Sequence, residues 1–145
     1  MSATVWSELE AEQAFTRAAR ARRRASLVCR VRRGGQCGGL AVYDDAASRR
    51  SGRRAGRGVR EISLDAIAGT LEPNRAADFD TGFRPSGRTR ARWQRVWMAE
   101  HRGTVLPPIS VVQVGDAYAV RDGHHRVSVA KARGALTINA VVDAG

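Results

Sequence analysis

Residues 118–134, YAVRDGHHRVSVAKARG, constrain the fold of this chain more than any other stretch. Residues 118–120 alternate like a strand, and Asp122-Gly123 favours a tight turn. Residues 124–133 predict a helix that ends at the glycine after it. The sequence therefore predicts a strand–turn–helix junction, and an acid, a glycine, two histidines and an arginine lie where the helix begins.

This junction predicts an anion-binding site. The first turn of a helix has unpaired backbone N–H groups and the positive end of the helix dipole. Gly123 lets a ligand approach the backbone, and Arg126 offers two parallel N–H donors to a phosphate or carboxylate. His124 and His125 add donors whose charge depends on pH. The alternative is that Asp122 is only an N-cap, Gly123 only a turn residue and both histidines only polar surface residues.

Charge narrows the choice of partners. The chain has 145 residues, with 25 Lys and Arg against 14 Asp and Glu, which gives a formal charge of +11. The length favours one domain with appended segments, and the surplus favours nucleic acid, nucleotides or another polyanion. An arginine-rich coding background is the other explanation of the charge. No apolar run is long enough for a membrane span, and the polar, acidic N-terminus is unlike a signal peptide, so we expect a cytoplasmic protein with no membrane partner.

The two cysteines give little indication of a metal site. Cys29 and Cys37 lie in an arginine- and glycine-rich stretch without a nearby histidine or second cysteine pair. A disulfide between them is possible in geometry, but it is disfavoured in a reducing cytoplasm. The sequence therefore predicts two unrelated thiols and no metal ion.

Residues 1–58 predict a basic helix followed by a flexible segment. The helix covers residues 5–31, with acids early and arginines late, and it is either a solvated helix or a basic arm on nucleic acid. Residues 32–58 are too rich in arginine and glycine to bury a core, apart from a short strand over residues 39–43. Such a tract is a linker or a phosphate-tracking segment. The predicted nucleic-acid-binding residues are Arg49, Arg50, Arg53, Arg54 and Arg57.

Residues 59–145 predict a small α+β domain in which helices pack on a mixed sheet. Residues 59–64 alternate like a strand, and residues 64–68 favour a short helical turn. A polar loop leads to a helix over residues 88–102, whose tryptophans at i and i+4 belong to a core. A strand ending at residue 114, a hairpin turn, the strand–turn–helix junction and a last strand over residues 137–142 complete the domain.

The order of motifs in this domain resembles the N-terminal domain of ParB chromosome-partitioning proteins and the related sulfiredoxin and free-serine kinase folds. ParB-like domains have a strand and short helix, a Pro-Asn loop with an arginine, a Pro-Ile-x-Val strand and a Gly-Glu-Arg-Arg-like box. The matching segments are residues 62–67, Pro73-Asn74-Arg75, Pro108-Ile109-Ser110-Val111 and Gly123-His124-His125-Arg126. The phrase VRDGHHRV is also similar to one in ParB-like proteins of actinobacteria.

The resemblance implies a site for the phosphates of a nucleoside triphosphate with Mg²⁺. Free-serine kinases have an Asp-Gly-His-Thr-Arg box, which is close to residues 122–126, whereas sulfiredoxin has its catalytic cysteine where this chain has His124. Sulfiredoxin activity is therefore not expected. The Glu-Arg of the ParB box is replaced by two histidines, which weakens the inference of CTP. The implied phosphate-binding residues are Asn74, Arg75, Asp122, Gly123, His124, His125 and Arg126.

Three functions follow from these observations. The first is a ParB-like nucleotide-binding domain with slow NTP hydrolysis in a DNA-associated protein. The second is a basic protein that binds DNA or RNA and uses the same pocket for backbone phosphate; the helix-turn-helix of ParB is not found in this chain. The third is a small-molecule phosphotransferase of the free-serine-kinase type, which needs an acid or base beside the γ-phosphate. The catalytic candidates are Glu72, Asp78 and His124.

Overall fold

The computed structural model describes residues 3–33, 37–44 and 58–144. Within them the chain has a mixed α+β fold, in which three α-helices pack with a six-stranded sheet. The helices are α1 (Ala3–Arg33), α2 (Arg90–His101) and α3 (His124–Ala132). The strands are β1 (Ala41–Val42), β2 (Val59–Ser63), β3 (Ile67–Thr70), β4 (Ile109–Val114), β5 (Ala117–Asp122) and β6 (Thr137–Ala144).

The strand order β1-β3-β5-β4-β6-β2 places β5 between β3 and β4. β3 runs parallel to β5, whereas β4 pairs antiparallel with β5 through a tight turn at Gly115, whose φ is +61°. β4 runs parallel to β6, and β2 pairs antiparallel with β6 at the other side of the sheet. Because β3 and β5 are parallel, their carboxyl ends meet at the same edge, which is where α3 begins.

The sequence analysis missed one strand of the sheet. The short helical turn predicted over residues 64–68 is present as a 3-10 helix over Leu64–Ala66, but the chain then continues as β3 instead of entering a loop. β3 has only four residues, including an alanine and a glycine, so its sequence has little strand character of its own. Gly69 is required there because a Cβ would overlap the backbone of Ala41 in β1.

Two apolar clusters hold the fold together. The first lies on the sheet and under α3, with Phe79, Ile109 and Val127 fully buried. The second joins the three helices through Phe15 of α1 and Trp93 of α2, whose rings meet edge to face with centroids 5.5 Å apart. α1 therefore packs on the same body as the sheet, and β1 extends the sheet by one strand.

Cys29 and Cys37 form a disulfide, so the prediction of two unrelated thiols was wrong. Their Cα atoms lie 6.0 Å apart, within the usual range for a bridged pair. The sequence argument relied on the redox state of the expected compartment, whereas the distance depends on how the chain turns back after α1. The bridge joins the last part of α1 to the segment that enters β1.

Two further predictions concern the Arg/Gly tract and membrane-spanning segments. The Arg/Gly tract with Arg49, Arg50, Arg53, Arg54 and Arg57 lies outside the described residues, so its flexibility and its contacts stay predictions. None of the helices in the described ranges is both long and apolar enough to cross a membrane.

Candidate functional site

The predicted strand–turn–helix junction lies at the edge of the sheet where β5 ends. Asp122 ends β5, Gly123 occupies the N-cap position with φ +110°, and His124 begins α3. A residue with a side chain is strained in this conformation, and a Cβ here would also overlap the side chain of Ile109. Gly123 is therefore the N-cap, and the alternative in which Asp122 caps the helix was wrong.

His124 is a buried residue that joins α3 to β3. Its side chain is 5 % exposed, and its Nε2 shares a 2.6 Å hydrogen bond with Oγ1 of Thr70. The imidazole also stacks on the ring of Phe79, with 15° between the two planes. The hydroxyl of Thr70 further accepts a hydrogen bond from the backbone N–H of Glu72, so one side chain ties the end of β3 to the loop and to α3.

His125 is buried against the same aromatic ring. It is 7 % exposed and meets Phe79 edge to face, with centroids 5.3 Å apart. Burial, with nearby arginines as the second cause, lowers the pKa of His124 and of His125 from 6.5 to about 4. Both imidazoles are therefore neutral at pH 7, and neither is the surface residue that the alternative interpretation required.

Arginines surround a buried carboxylate beside the two histidines. Asp78 is 7 % exposed, and its oxygens lie 3.4 Å from Arg75 and 3.9 Å from Arg88. Positive charge on Arg75 lowers the pKa of both histidines, and Arg92 lowers that of His125. These three arginines therefore lie close to the start of α3.

The exposure of these side chains shows which of them face solvent. The side chain of Arg88 is 80 % exposed and that of Arg75 is 39 % exposed, whereas Asp78 is covered. Arg92, on the first turn of α2, is exposed as well. The surface at this edge of the sheet is therefore cationic, and its single buried acid lies beneath two of the cations.

The side chain of Arg126 extends from the junction toward β4, whereas that of His124 extends toward β3. Its guanidinium donates hydrogen bonds to the backbone carbonyls of Pro107 and Pro108 and to the carboxylate of Asp122. These prolines precede β4, whereas Thr70 ends β3, and the two strands flank β5. These three contacts hold Arg126 to the segment before β4, and its side chain is only 15 % exposed.

The remaining predicted residues lie on the loop after β3. Glu72 and Asn74 are both exposed, at and beside the 3-10 turn Pro73–Arg75. The loop folds back so that Asp78 and Phe79 reach α3, which brings Arg75 and Asp78 to the histidines. Among the predicted set, the fold thus groups Arg75, Asp78, His124 and His125 and places the guanidinium of Arg126 elsewhere.

Sequence reasoning missed four residues of this site: Thr70, Phe79, Arg88 and Arg92. Thr70 was hidden because β3 was not recognised as a strand. Phe79 was read only as part of the loop. Arg88 and Arg92 are spaced i, i+4 where α2 begins, a spacing that predicts one shared helix face and could have identified them.

This arrangement is suited to binding an anion rather than to binding a cation. Three cations and the first N–H groups of α3 supply positive potential, and two neutral imidazoles supply ring nitrogens that are not charged. Within residues 3–33, 37–44 and 58–144, no group of three His, Cys, Asp or Glu side chains could hold a metal ion.

Comparisons with known proteins give a likeness to solved structures alone. No protein-family model matches the chain, and no curated protein matches it. Among solved structures, the chain is similar to the crystal structure of sulfiredoxin from Arabidopsis thaliana, with 20 % identity and a TM-score of 0.46. The likeness covers 61 % of this chain and 86 % of the sulfiredoxin chain.

Proposed function

We propose that the edge of the sheet where β3, β5 and α3 meet binds the phosphates of a nucleoside triphosphate in a cytoplasmic protein. The observation that carries the proposal is the grouping of Arg75, Arg88 and Arg92 around the start of α3. The triphosphate, rather than a single phosphate, follows from the number of cations and from the resemblance of the motif order to ParB-like domains.

The polar groups of this edge divide into binding groups and supporting groups. Arg88 and Arg92 are exposed and are the first groups that an incoming phosphate would meet. Arg75 is half-exposed and is held toward Asp78, so it is positioned before the ligand arrives. Thr70 and Phe79 fix the imidazole of His124, which presents the start of α3 in one orientation.

The two histidines should make phosphate binding depend on pH. A charged imidazole would repel Arg75, and this is one cause of the lowered pKa of both rings. When a phosphate is bound, its negative charge acts in the opposite direction and raises the pKa of a nearby histidine. Binding should therefore become tighter as pH falls from 7 toward 5, as long as the protein stays folded.

Magnesium would enter this site with the nucleotide. The described residues lack a cluster of three metal-binding side chains, whereas Mg²⁺ commonly binds substrate phosphates and keeps several of its own waters. The residues that could meet such a hydrated ion are Asp122 and Glu72, both of which are exposed. Slow hydrolysis would need a base near the γ-phosphate, and Glu72, Asp78 and His124 remain the candidates for it.

The test is a calorimetric titration of the full chain with ATP, CTP, GTP and inorganic phosphate, each with and without Mg²⁺. Arg88→Gln should weaken triphosphate binding by about tenfold, since one charge-assisted contact is lost. The matched control is Arg95→Gln, which removes the same charge from an exposed position of α2. No binding by a correctly folded protein, or equal binding by both variants, would contradict the proposal.

Nucleic acid is a second candidate ligand, favoured by the exposed arginines of α1. Arg20, Arg23, Arg24, Arg30 and Arg32 all face solvent. A single-stranded oligonucleotide labelled with a fluorophore should then bind with an affinity that falls steeply with salt. Binding that survives replacement of the α1 arginines by glutamine would refute a role for this helix.

A further inference from the structure

A second basic cleft lies away from the start of α3. It has a volume of about 680 Å³, which is within the range of ligand pockets. Its walls come from α1, from the turn around Phe83 and from the second half of α3. None of the residues of the proposed triphosphate site lines it.

The charge of the cleft is strongly positive. Its four cations are Arg17, Arg84, Lys131 and Arg133, and its one acid is Asp65. Two of the cations are already paired. Arg84 lies 3.3 Å from Asp80, and Arg133 lies 3.6 Å from Glu100.

Arg17 and Lys131 are the two cations left to bind a ligand. Among the residues that the structure describes, neither has a carboxylate within the 4.0 Å of an ion pair. Arg17 is exposed on α1, and Lys131 is half-buried on α3, so the two charges come from different helices. An anion between them would be contacted from both walls.

The floor of the cleft is apolar and aromatic. Phe83 and Trp97 both line it and are almost fully buried, at 1 % and 8 % exposure. The ammonium of Lys131 lies 5.6 Å from the centroid of the Phe83 ring, and the guanidinium of Arg133 lies 5.3 Å from that of Trp97. Each cation thus covers a ring, so the apolar surface that is open to a ligand comes from Ala18 and Ala21 of α1 and Ala132 of α3.

We propose that this cleft binds a small organic phosphate with an apolar body. Arg17 contacts the phosphate, Lys131 adds positive charge from the opposite wall, and the alanines of α1 and α3 that line the cleft contact the body. Neither inorganic phosphate nor a neutral aromatic compound meets both requirements. The cleft is independent of the triphosphate site, because it uses the end of α3 rather than its start.

The chain offers an unusually clean test, because Lys131 is its only lysine. Pyridoxal 5′-phosphate is a flat aromatic phosphate whose aldehyde condenses with an amine to an imine, releasing water. Borohydride then supplies the hydride that reduces the imine to a stable secondary amine. Peptide mapping by mass spectrometry separates labelled Lys131 from the labelled N-terminal amine.

The proposal predicts that pyridoxal 5′-phosphate labels Lys131 about tenfold faster than pyridoxal, which lacks the phosphate. Arg17→Ala should remove most of this difference, whereas Arg95→Ala, which removes the same charge elsewhere, should preserve it. 1-Naphthyl phosphate should protect Lys131 at concentrations where inorganic phosphate does not. Circular dichroism of each variant confirms that the fold is kept.

Three outcomes would overturn the proposal. Equal labelling by the two aldehydes would show that the cleft does not recognise the phosphate. Equal effects of Arg17→Ala and Arg95→Ala would show that the phosphate does not bind in this cleft. Equal protection by inorganic phosphate would show that an apolar body adds nothing to binding. The Arg88→Gln variant should label normally, so failure of the triphosphate site and failure of this cleft are distinguishable.

Discussion

Acid should unfold this protein through the two buried histidines. The pKa of each is about 4 in the folded chain and 6.5 in an unfolded one, so the unfolded state binds more protons between these values. Stability is then complete above pH 6.5 and falls as pH decreases toward 4. At about 1.4 kcal/mol for each pH unit, one histidine contributes roughly 3 kcal/mol, and the pair between about 3 and 6 kcal/mol.

A loss of this size is large for a small domain, whose whole stability is about 5–15 kcal/mol. We therefore expect the urea midpoint, followed by tryptophan fluorescence, to fall steeply between pH 6.5 and 4.5. His124→Gln should lower stability at pH 7, because it disturbs the contacts with Thr70 and Phe79. It should also remove about half of the dependence on pH, because one of the two titrating groups is gone.

The control is His101→Gln, which removes an imidazole that stacks on Trp97 and lies outside the buried pair. This variant should keep the steep fall below pH 6.5. The reasoning would be refuted by a wild-type midpoint that is flat from pH 7 to 4.5. It would also be refuted if His124→Gln and His125→Gln both kept the full slope.

Three further perturbations test the geometry around the site. Gly123→Ala should reduce the free energy of unfolding by about 2 kcal/mol or more, because its φ is +110° and Ile109 occupies the space of a Cβ; a melting temperature equal to that of wild type would contradict this. Arg126→Lys should cost about 1–2 kcal/mol in a urea titration, since an ammonium cannot reproduce the planar donors that reach two carbonyls and a carboxylate. Reduction of the Cys29–Cys37 disulfide should cost about 2.5 kcal/mol, the value for a loop closed across eight residues, and an unchanged unfolding curve would show that the bridge stabilises nothing.

The fold was largely predictable because its elements have strong local signals. The hairpin into β5, the helix after Gly123 and the tryptophan pair of α2 all follow from periodicity and turn chemistry. β3 was not predictable in this way, because Ile67–Thr70 is a strand only through its pairing with β1 and β5. The disulfide was missed for a similar reason, since the approach of Cys37 to α1 depends on the path of the chain.

The candidate site combines residues that the sequence singled out with residues that it missed. The glycine, the histidines and the loop arginine lie near one another at one edge of the sheet. Burial of the histidines depends on Phe79, which reaches them only because the loop after β3 folds back onto α3. Arg88 and Arg92 come from the first turn of α2 and the 3-10 helix before it, so a motif confined to residues 118–134 cannot include them.

The junction at residues 122–126 therefore contacts two different parts of the fold through five consecutive residues. The guanidinium of Arg126 bonds to Asp122 and to the segment before β4. This is the same group that the sequence predicted to bind phosphate. His124 and His125 face the other way and support a surface whose charge comes from Arg75, Arg88 and Arg92. A variant at Arg126 should consequently change stability first, whereas a variant at Arg88 should change binding first. Comparing the two in one set of unfolding and calorimetric titrations separates the structural role of the junction from the binding proposed for the arginines beside it.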